Sequence, residues 1–329
     1  MITYVDLFCG AGGFSKGLDQ AGFRNLFSIE YDPSITPTYR FNFPEHNLIQ
    51  ADIAKVTDEQ LIEATSNTPV DLVVGGPPCQ GFSMAGNPGR TFVDNPRNTL
   101  FKEFVKVIHV LKPKMFVFEN VAKIATHRKG KTIAEISEAF SSENYNISSS
   151  ILNASNYGVP QDRRRFIMVG VRSDLKKEFE FPHIEKKKVT VQQAIGDLPP
   201  LESGQSSDVP NHIAMKHSDQ MLLKMSYVKD GGDRKDIPEE IRPKSGDARK
   251  YIRYSSSKPS VCVTGDMRKI FHYNQNRALT ARELARLQSF PDDFIFKGNS
   301  ICIQQQIGNA VPPLLAKKLA IQIKEVLDE

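Results

Sequence analysis

Apolar positions in the first half of the chain fall in short, largely β-branched or aromatic runs separated by glycine-rich or polar breaks. Ile2–Phe8 (ITYVDLF), Leu26–Glu30 (LFSIE), Asn47–Ile53 (NLIQADI), Val70–Val74 (VDLVV) and Lys114–Phe118 (KMFVF) each have the length and composition of a buried strand. Between them the spacing changes to a helical period. Lys16–Ala21 reads as a short helix, and Leu100–Leu111 as an amphipathic one through Leu100, Phe104, Val107, Ile108 and Leu111. Strands that alternate with helices predict a mostly parallel, doubly wound α/β sheet. Ile147–Leu152 and Phe166–Val171 add two further strands.

From His183 the pattern loses its period. Leu198-Pro199-Pro200, Gly231-Gly232 and Ser255–Ser257 are irregular and polar, which predicts a second, smaller, loop-rich domain. Regularity returns near Arg277. Thr280 with Glu283 three residues on is a capping-box pattern opening a helix over Thr280–Leu287. Pro312-Pro313 suits a helix start, and Leu315, Leu319, Ile323 and Leu327 then recur every four residues. No internal repeat is visible.

Composition narrows the class. The chain has 329 residues, 40% of them hydrophobic, enough for two domains or one large domain with an insertion. Apolar runs are strand-sized, so no membrane span is expected. The first residues, MITYVDLFCG, have no basic n-region and are not expected to be a signal peptide. Cys9, Cys79, Cys262 and Cys302 lie far apart with no C-x-x-C pair, which argues for no metal site, no disulfide framework and a reducing, cytoplasmic setting. His212 and His217 read as ordinary polar surface. Net charge is +5, and Arg242–Lys269 alone holds eight basic and two acidic residues, a stretch suited to phosphate contact.

The chemistry concentrates at strand ends. Val70–Val74 runs into Gly75-Gly76-Pro77-Pro78-Cys79-Gln80-Gly81-Phe82-Ser83. Two prolines stop the strand and stiffen the backbone, so Cys79 is displayed where open α/β sheets place their ligands. A thiol there is a candidate nucleophile. Gln80–Thr99, rich in glycine and proline, has the character of a functional lid. The first strand enters Cys9-Gly10-Ala11-Gly12-Gly13-Phe14-Ser15. Gly10 and Gly12 fit a dinucleotide fingerprint, but Ser15 occupies the third glycine position, so an adenosine without a pyrophosphate is the better ligand. Glu30, 20 residues after Gly10, is placed for ribose hydroxyls, and Asp52 for an adenine amino group. Glu119 is a third strand-end acid, beside the cysteine strand. Arg163-Arg164-Arg165 before a buried strand suggest anion binding or fixation of a buried acid.

A thiolate, an acid, an adenosine-type site and a basic domain together suit covalent catalysis on cytosine. The ordered blocks DLFCGAGGFS, GGPPCQGFS, Glu119-Asn120-Val121, QDRRR, RALTARELARLQSFPDDF and QIGNAVPP resemble those of DNA (cytosine-5) methyltransferases of the bacterial restriction-modification type. They cover the chain except its variable basic region. The resemblance implies Cys79 as nucleophile, Glu119 at N3 and the exocyclic amine, Arg165 on the base carbonyl and Arg163 organising acid and backbone. For S-adenosylmethionine it implies Phe8 against adenine, Gly10 and Gly12 in the turn, Glu30 on ribose, and Asp52 with Ile53 at adenine. Pro78, Leu100, Asn309 and Val311 complete that pocket. It also implies a catalytic domain of residues 1–182 plus 300–329, a target-recognition domain of 183–275 and a connecting segment of 276–299. Double-stranded DNA is the implied substrate, with a cognate restriction endonuclease as a partner by analogy and no membrane.

One departure stands out. Where the family often has a Pro-x-x-Thr segment, this chain has Pro259-Ser260-Val261-Cys262. A nicotinamide oxidoreductase would share the βαβ start but needs the pyrophosphate fingerprint. A non-catalytic DNA-binding module would not need Cys79, Glu119 and an adenosine pocket together. The RNA (tRNA) branch of the same chemistry is the nearest alternative.

Overall fold

The structure, a computed structural model, describes residues 1–78, 100–244 and 250–328. These form two compact units: Met1–Asn153 with Arg164–His183 and Leu315–Glu329, and Ala154–Arg163 with Ile184–Leu314. No described helix is long and apolar enough to cross a membrane.

Seven strands of the first unit form one sheet: β1 (Thr3–Leu7), β2 (Arg24–Glu30), β3 (Leu48–Gln50), β4 (Leu72–Gly75), β5 (Met115–Val121), β6 (Tyr145–Asn153) and β7 (Arg164–Arg172). Their order is β3-β2-β1-β4-β5-β7-β6. β1 through β5 are parallel, and β7 runs antiparallel to both β5 and β6. The chain winds outward from β1 toward β3 and from β4 toward β6. The carboxyl ends of β1 and β4 therefore flank the point where the strand order reverses, the usual place for a ligand crevice. The glycine loop follows β1, and the Pro77-Pro78 turn follows β4.

The strands expected from the sequence are present, with shifted ends. β5 continues through Glu119 to Val121 because β7 extends the ladder, pairing Glu119 with Ile167 and Val121 with Arg165. The helix after the glycine loop, α1 (Gly13–Gln20), begins earlier than its composition suggests, with Gly12 in a left-handed conformation at its N-cap. Helices α2 (Thr36–Asn42) and α3 (Asp58–Ala64) were not evident from periodicity. α3 is instead marked by a capping box between Thr57 and Gln60. α4 (Leu100–Leu111) has the bounds its pattern predicts. After β5 come Ala122–Gly130 and α5 (Lys131–Ser141). Phe104 of α4, Phe116 and Phe118 of β5 and Phe140 of α5 pack as one buried aromatic cluster, with ring centroids 4.2–6.0 Å apart. Burial of each ring stabilises by about 1.5–3 kcal/mol. The cluster fixes β5, and with it Glu119, on a rigid floor.

The second unit has few regular elements: α6 (Val191–Ile195), α7 (Asp219–Tyr227), the two-residue strands β8 (Ile252–Arg253) and β9 (Ile270–Phe271), α8 (Ala281–Leu287) and α9 (Ser300–Asn309). Buried arginines replace strand ladders as its ties. Arg277 forks onto Glu283 at 2.9 and 2.6 Å, and Arg282 donates to the carbonyls of Pro210, Pro291 and Phe294. Thr280 and Glu283 form the expected capping box. His212 is not surface, contrary to the sequence reading. It is fully buried, with Nδ1 2.8 Å from Thr280 Oγ1 and Nε2 2.9 Å from the Pro199 carbonyl. Its polar sequence neighbours hid a helix-cap contact 68 residues away. α10 (Pro313–Asp328) starts at the paired prolines and buries Leu315, Leu319 and Ile323.

Candidate active site

The loop after β1 turns back on itself through Phe8, Gly10 and Gly12, at φ 57°, 54° and 93°. A side chain at Gly10 would point into open space, whereas one at Gly12 would overlap the Phe43 ring. Gly12 is thus required by packing, and the Gly10 side of the turn is left free for a ligand. Glu30, at the end of β2, accepts from the Gly10 amide through Oε2 at 2.9 Å and from the Asp32 amide through Oε1 at 2.8 Å. Burial raises its carboxyl pKa, and the amides of Asp32 and Gly10 offset part of that rise. Asp52 caps the turn Ile53–Lys55, accepting from Ala54 N at 3.1 Å, and Ile53 is buried below it. The Ala51 amide donates to the Glu30 carbonyl at 3.1 Å, which holds the ends of β2 and β3 together. Tyr31, directly after Glu30, is 70% exposed. Leu100 opens α4, half-buried.

The ends of β4 and β5 meet one strand further along. Arg165 Nε lies 2.9 Å from Glu119 Oε1, with only 13% and 12% of the two side chains exposed. The antiparallel register explains the encounter. Glu119 faces Ile167, and Arg165, two residues before Ile167, projects from the same face. Of the two roles read for the arginine run, fixation of a buried acid is the one Arg165 fills. Gly76 sits against this carboxylate, where a Cβ would come 2.7 Å from Glu119 Oε2. Asn120, 3% exposed, donates from Nδ2 to the Pro77 carbonyl at 3.1 Å. Pro78 is exposed beyond it. Cys79 and the Gln80–Thr99 stretch lie outside the described residues.

The second unit holds the remaining named positions. Arg163 is 1% exposed and donates to the carbonyls of Val263, Gly308 and Ala310 at 3.1, 2.7 and 2.9 Å, with Cys262 Sγ 3.5 Å away. It ties the segment around Cys262 to the end of α9, where Asn309 is exposed and Val311 buried. Cys262, at the position of the family's threonine, is therefore a neighbour of this tie. The basic stretch is less free than its composition suggests. Arg253 is 6% exposed and bonds to the carbonyls of Val228, His272, Gln275 and Met225 and to Asn276 Oδ1. Arg242 donates to the carbonyls of Ile237 and Lys235, and Lys250 and Arg268 both pair with Asp266. Lys244 and Lys258 are exposed, and Arg249 lies outside the described residues.

Tyr31, Gly76 and Asn120 adjoin the expected site residues, and the sequence did not single them out. An aromatic directly after a strand-end acid was a usable signal for Tyr31. Gly76 and Asn120 act through contacts with Glu119 and Pro77 some 43 residues apart in sequence, which no local pattern reveals.

The family model described as C-5 cytosine-specific DNA methylase matches residues 2–325. The Type II methyltransferase M1.HphI of Haemophilus parahaemolyticus is 58% identical over 320 residues, covering 97% of this chain and 86% of the relative. M.DdeI of Desulfomicrobium norvegicum is 37% identical over 371 residues, covering 98% and 88%. A solved E. coli prophage-encoded protein, described as a DNA modification methyltransferase, superposes with a TM-score of 0.83 at 25% identity over the whole of both chains. The Entamoeba histolytica methyltransferase EhMeth, at 16% identity and a TM-score of 0.70, covering 100% of this chain and 99% of its own, shares the fold.

Proposed function

The chain belongs to the C-5 cytosine-specific DNA methylase family, and from that premise we propose that it methylates C5 of a cytosine extruded from a specific duplex sequence, using S-adenosylmethionine. The observation that carries the reading is the Glu119–Arg165 pair beside the Pro77-Pro78 turn that leads into Cys79. Cytosine C5 is a poor nucleophile. The Cys79 thiolate adds at C6 while Glu119 meets N3 as charge develops there, and C5 becomes enamine-like. Arg165 holds the carboxylate through Oε1 and the base through its carbonyl. Once C5 carries the methyl group, loss of the C5 proton and expulsion of the thiolate restore the aromatic ring. Enzymes of this chemistry take the base out of the stack.

The residues around β1 and β2 fit the methyl donor. The turn is open at Gly10, an acid closes β2, and Ser15 stands where a pyrophosphate fingerprint has its third glycine. S-adenosylmethionine supplies an electrophilic sulfonium methyl group when bound. Phe8 and Tyr31 offer aromatic faces to adenine, Glu30 takes the ribose, and Asp52 with Ile53 lies at the adenine edge. Pro78, Leu100, Asn309 and Val311 complete the set. Residues 183–275 form the target-recognition region, with 1–182 and 300–329 as the catalytic part and 276–299 as the connection. Type II relatives also suggest a cognate restriction nuclease.

Bisulfite sequencing of plasmid from expressing cells tests the reading. One short sequence should be protected at a single cytosine, and Cys79→Ser should abolish protection. Gel-stable adducts with 5-fluorocytosine duplexes should likewise require Cys79. Methyl transfer to tRNA with none to duplex DNA would overturn the proposal in favour of the RNA-directed reaction.

A further inference from the structure

The residues that follow the active-site strand form a second basic surface, outside the target-recognition region. β5 ends at Val121, and Ala122–Gly130 leads into α5. Lys123, Arg128, Lys129 and Lys131 are all exposed, and no acidic residue occurs between Asn120 and Ala134. Arg128 pairs with Glu135 at 3.0 Å, but both side chains remain well exposed, at 38% and 47% respectively, where such a pair is weak. Lys123, Lys129 and Lys131 form no ion pair among the described residues. Lys123 and Arg128 lie close enough to act on one imidazole. His127 is held below its usual pKa by burial, then by Arg128 and by Lys123.

The surface is built rather than loose. Ile124 is fully buried beneath it, and His127 Nδ1 sits 2.8 Å from the hydroxyl of the buried Thr132. Above these anchors Arg128, Lys129 and Gly130 are consecutive left-handed residues, at φ 50°, 58° and 87°. Such backbone is uncommon for arginine and lysine. Glu119 lies two residues before the end of the same strand. In the proposed reaction a base held at Glu119 would bring its sugar and flanking phosphates toward that strand end. Meanwhile Arg253, Arg242, Lys250 and Arg268 of the expected basic stretch are bonded within the protein.

We propose that Lys123, Arg128, Lys129 and Lys131 are a backbone-phosphate site of the catalytic unit, gripping the strand beside the extruded cytosine whatever its sequence. This rests on the DNA-cytosine reading above. Phosphate contacts position a duplex without reading it, and each releases counterions.

The test compares full-length wild type with Lys129→Ala/Lys131→Ala on the cognate duplex and on an unrelated one. The variant should bind both more weakly by the same factor, and the slope of log affinity against log salt should flatten by about 1.8, roughly 0.9 for each charge removed. kcat at saturating DNA, affinity for S-adenosylmethionine and the methylated sequence should be unchanged. Lys129→Arg/Lys131→Arg should restore the slope. A single methylphosphonate next to the target cytosine should weaken wild type but not the alanine variant. An unchanged salt slope, a loss confined to the cognate duplex, or methylphosphonates that cost both proteins equally at every position would each overturn the site. If wild type itself neither binds nor methylates any duplex, the failure lies with the functional reading, and that is seen before the variants are compared.

Discussion

Arg165 Nε and Glu119 Oε1 lie 2.9 Å apart on adjacent antiparallel strands, in a setting where about an eighth of each side chain is exposed. The guanidinium fixes one carboxylate oxygen and the strand fixes the rest of the residue, so the acid is positioned before a base arrives. Glu119→Gln should lower kcat by roughly 100-fold or more, the usual scale for loss of a general acid. Arg165→Lys keeps the charge but not the planar fork. It should lower kcat by about 10-fold with little change in affinity for S-adenosylmethionine. Steady-state kinetics with each substrate varied checks both. A Gln variant impaired only in cofactor affinity would remove Glu119 from the chemistry.

Gly75 and Gly76 are neighbours with opposite sensitivities. A Cβ on Gly75 would come 2.5 Å from the Leu7 carbonyl oxygen and 3.0 Å from the Phe104 ring, both in the core. A Cβ on Gly76 would meet the far end of the Glu119 side chain, its Oε2, at 2.7 Å. Gly75→Ala should therefore reduce stability, by about 1–3 kcal/mol for overpacking, as read by urea unfolding. Gly76→Ala should leave unfolding nearly unchanged and lower kcat, because a displaced catalytic group loses rate steeply, up to about 100-fold per ångström. Equal melting losses in the two variants would contradict this division.

The first unit was legible because its strands are buried, short and β-branched, and each carries its chemistry at one end. Val70–Val74 and Leu100–Leu111 needed nothing beyond local pattern. Glu119 was placed just beyond its strand, and the structure puts it inside, because the ladder with β7 depends on a partner 48 residues away. The second unit was less legible, for a different reason, although its Thr280–Glu283 capping box was visible. Its ties are arginines donating to distant carbonyls, such as Arg282 to Pro210, and these leave no period in the sequence. The same cause produced the misreading of His212. The net charge of Arg242–Lys269 was visible, but not which charges face inward.

Asp6 is a buried acid with a pH signature. It is 1% exposed, its Oδ2 accepts from Ser15 Oγ at 2.7 Å, and its Oδ1 has no hydrogen-bond partner among the described residues. Burial pushes its pKa from 3.8 up to about 7, with the Ser15 hydrogen bonds opposing. Between those values the native state holds a proton that the unfolded chain has lost, so stability falls as pH rises from about 4 to 7 and then levels. Asp6→Asn removes the cost of ionisation. The stability difference between variant and wild type should widen by up to about 1.4 kcal/mol per pH unit, on the order of 4 kcal/mol in all. Urea unfolding at pH 5, 6, 7 and 8 checks it. A difference that stays flat, or narrows as pH rises, would show that Asp6 is not the proton-linked group.

Arg253 separates folding from recognition within the basic stretch. Its guanidinium bonds to four backbone carbonyls and Asn276 Oδ1, joining α7 to the chain after β9, and a fork so committed has little left for DNA. Arg253→Ala would leave buried carbonyls unpaired at about 1–3 kcal/mol each. The variant should melt early or fail to fold, and any folded fraction should methylate the same sequence. Lys244 and Lys258, exposed on the same unit, are the better candidates for contact. A lost phosphate contact there weakens all duplexes alike, whereas a lost base contact costs about 1–3 kcal/mol on the cognate site and relaxes specificity at one position. The region as a whole is tested by exchanging residues 199–273 for those of a relative with another target and mapping the methylated sites. Specificity should move with the exchanged segment while formation of the Cys79 adduct persists. An active chimera that keeps the original target would place recognition elsewhere in the chain, with the Gln80–Thr99 stretch the first segment to exchange next.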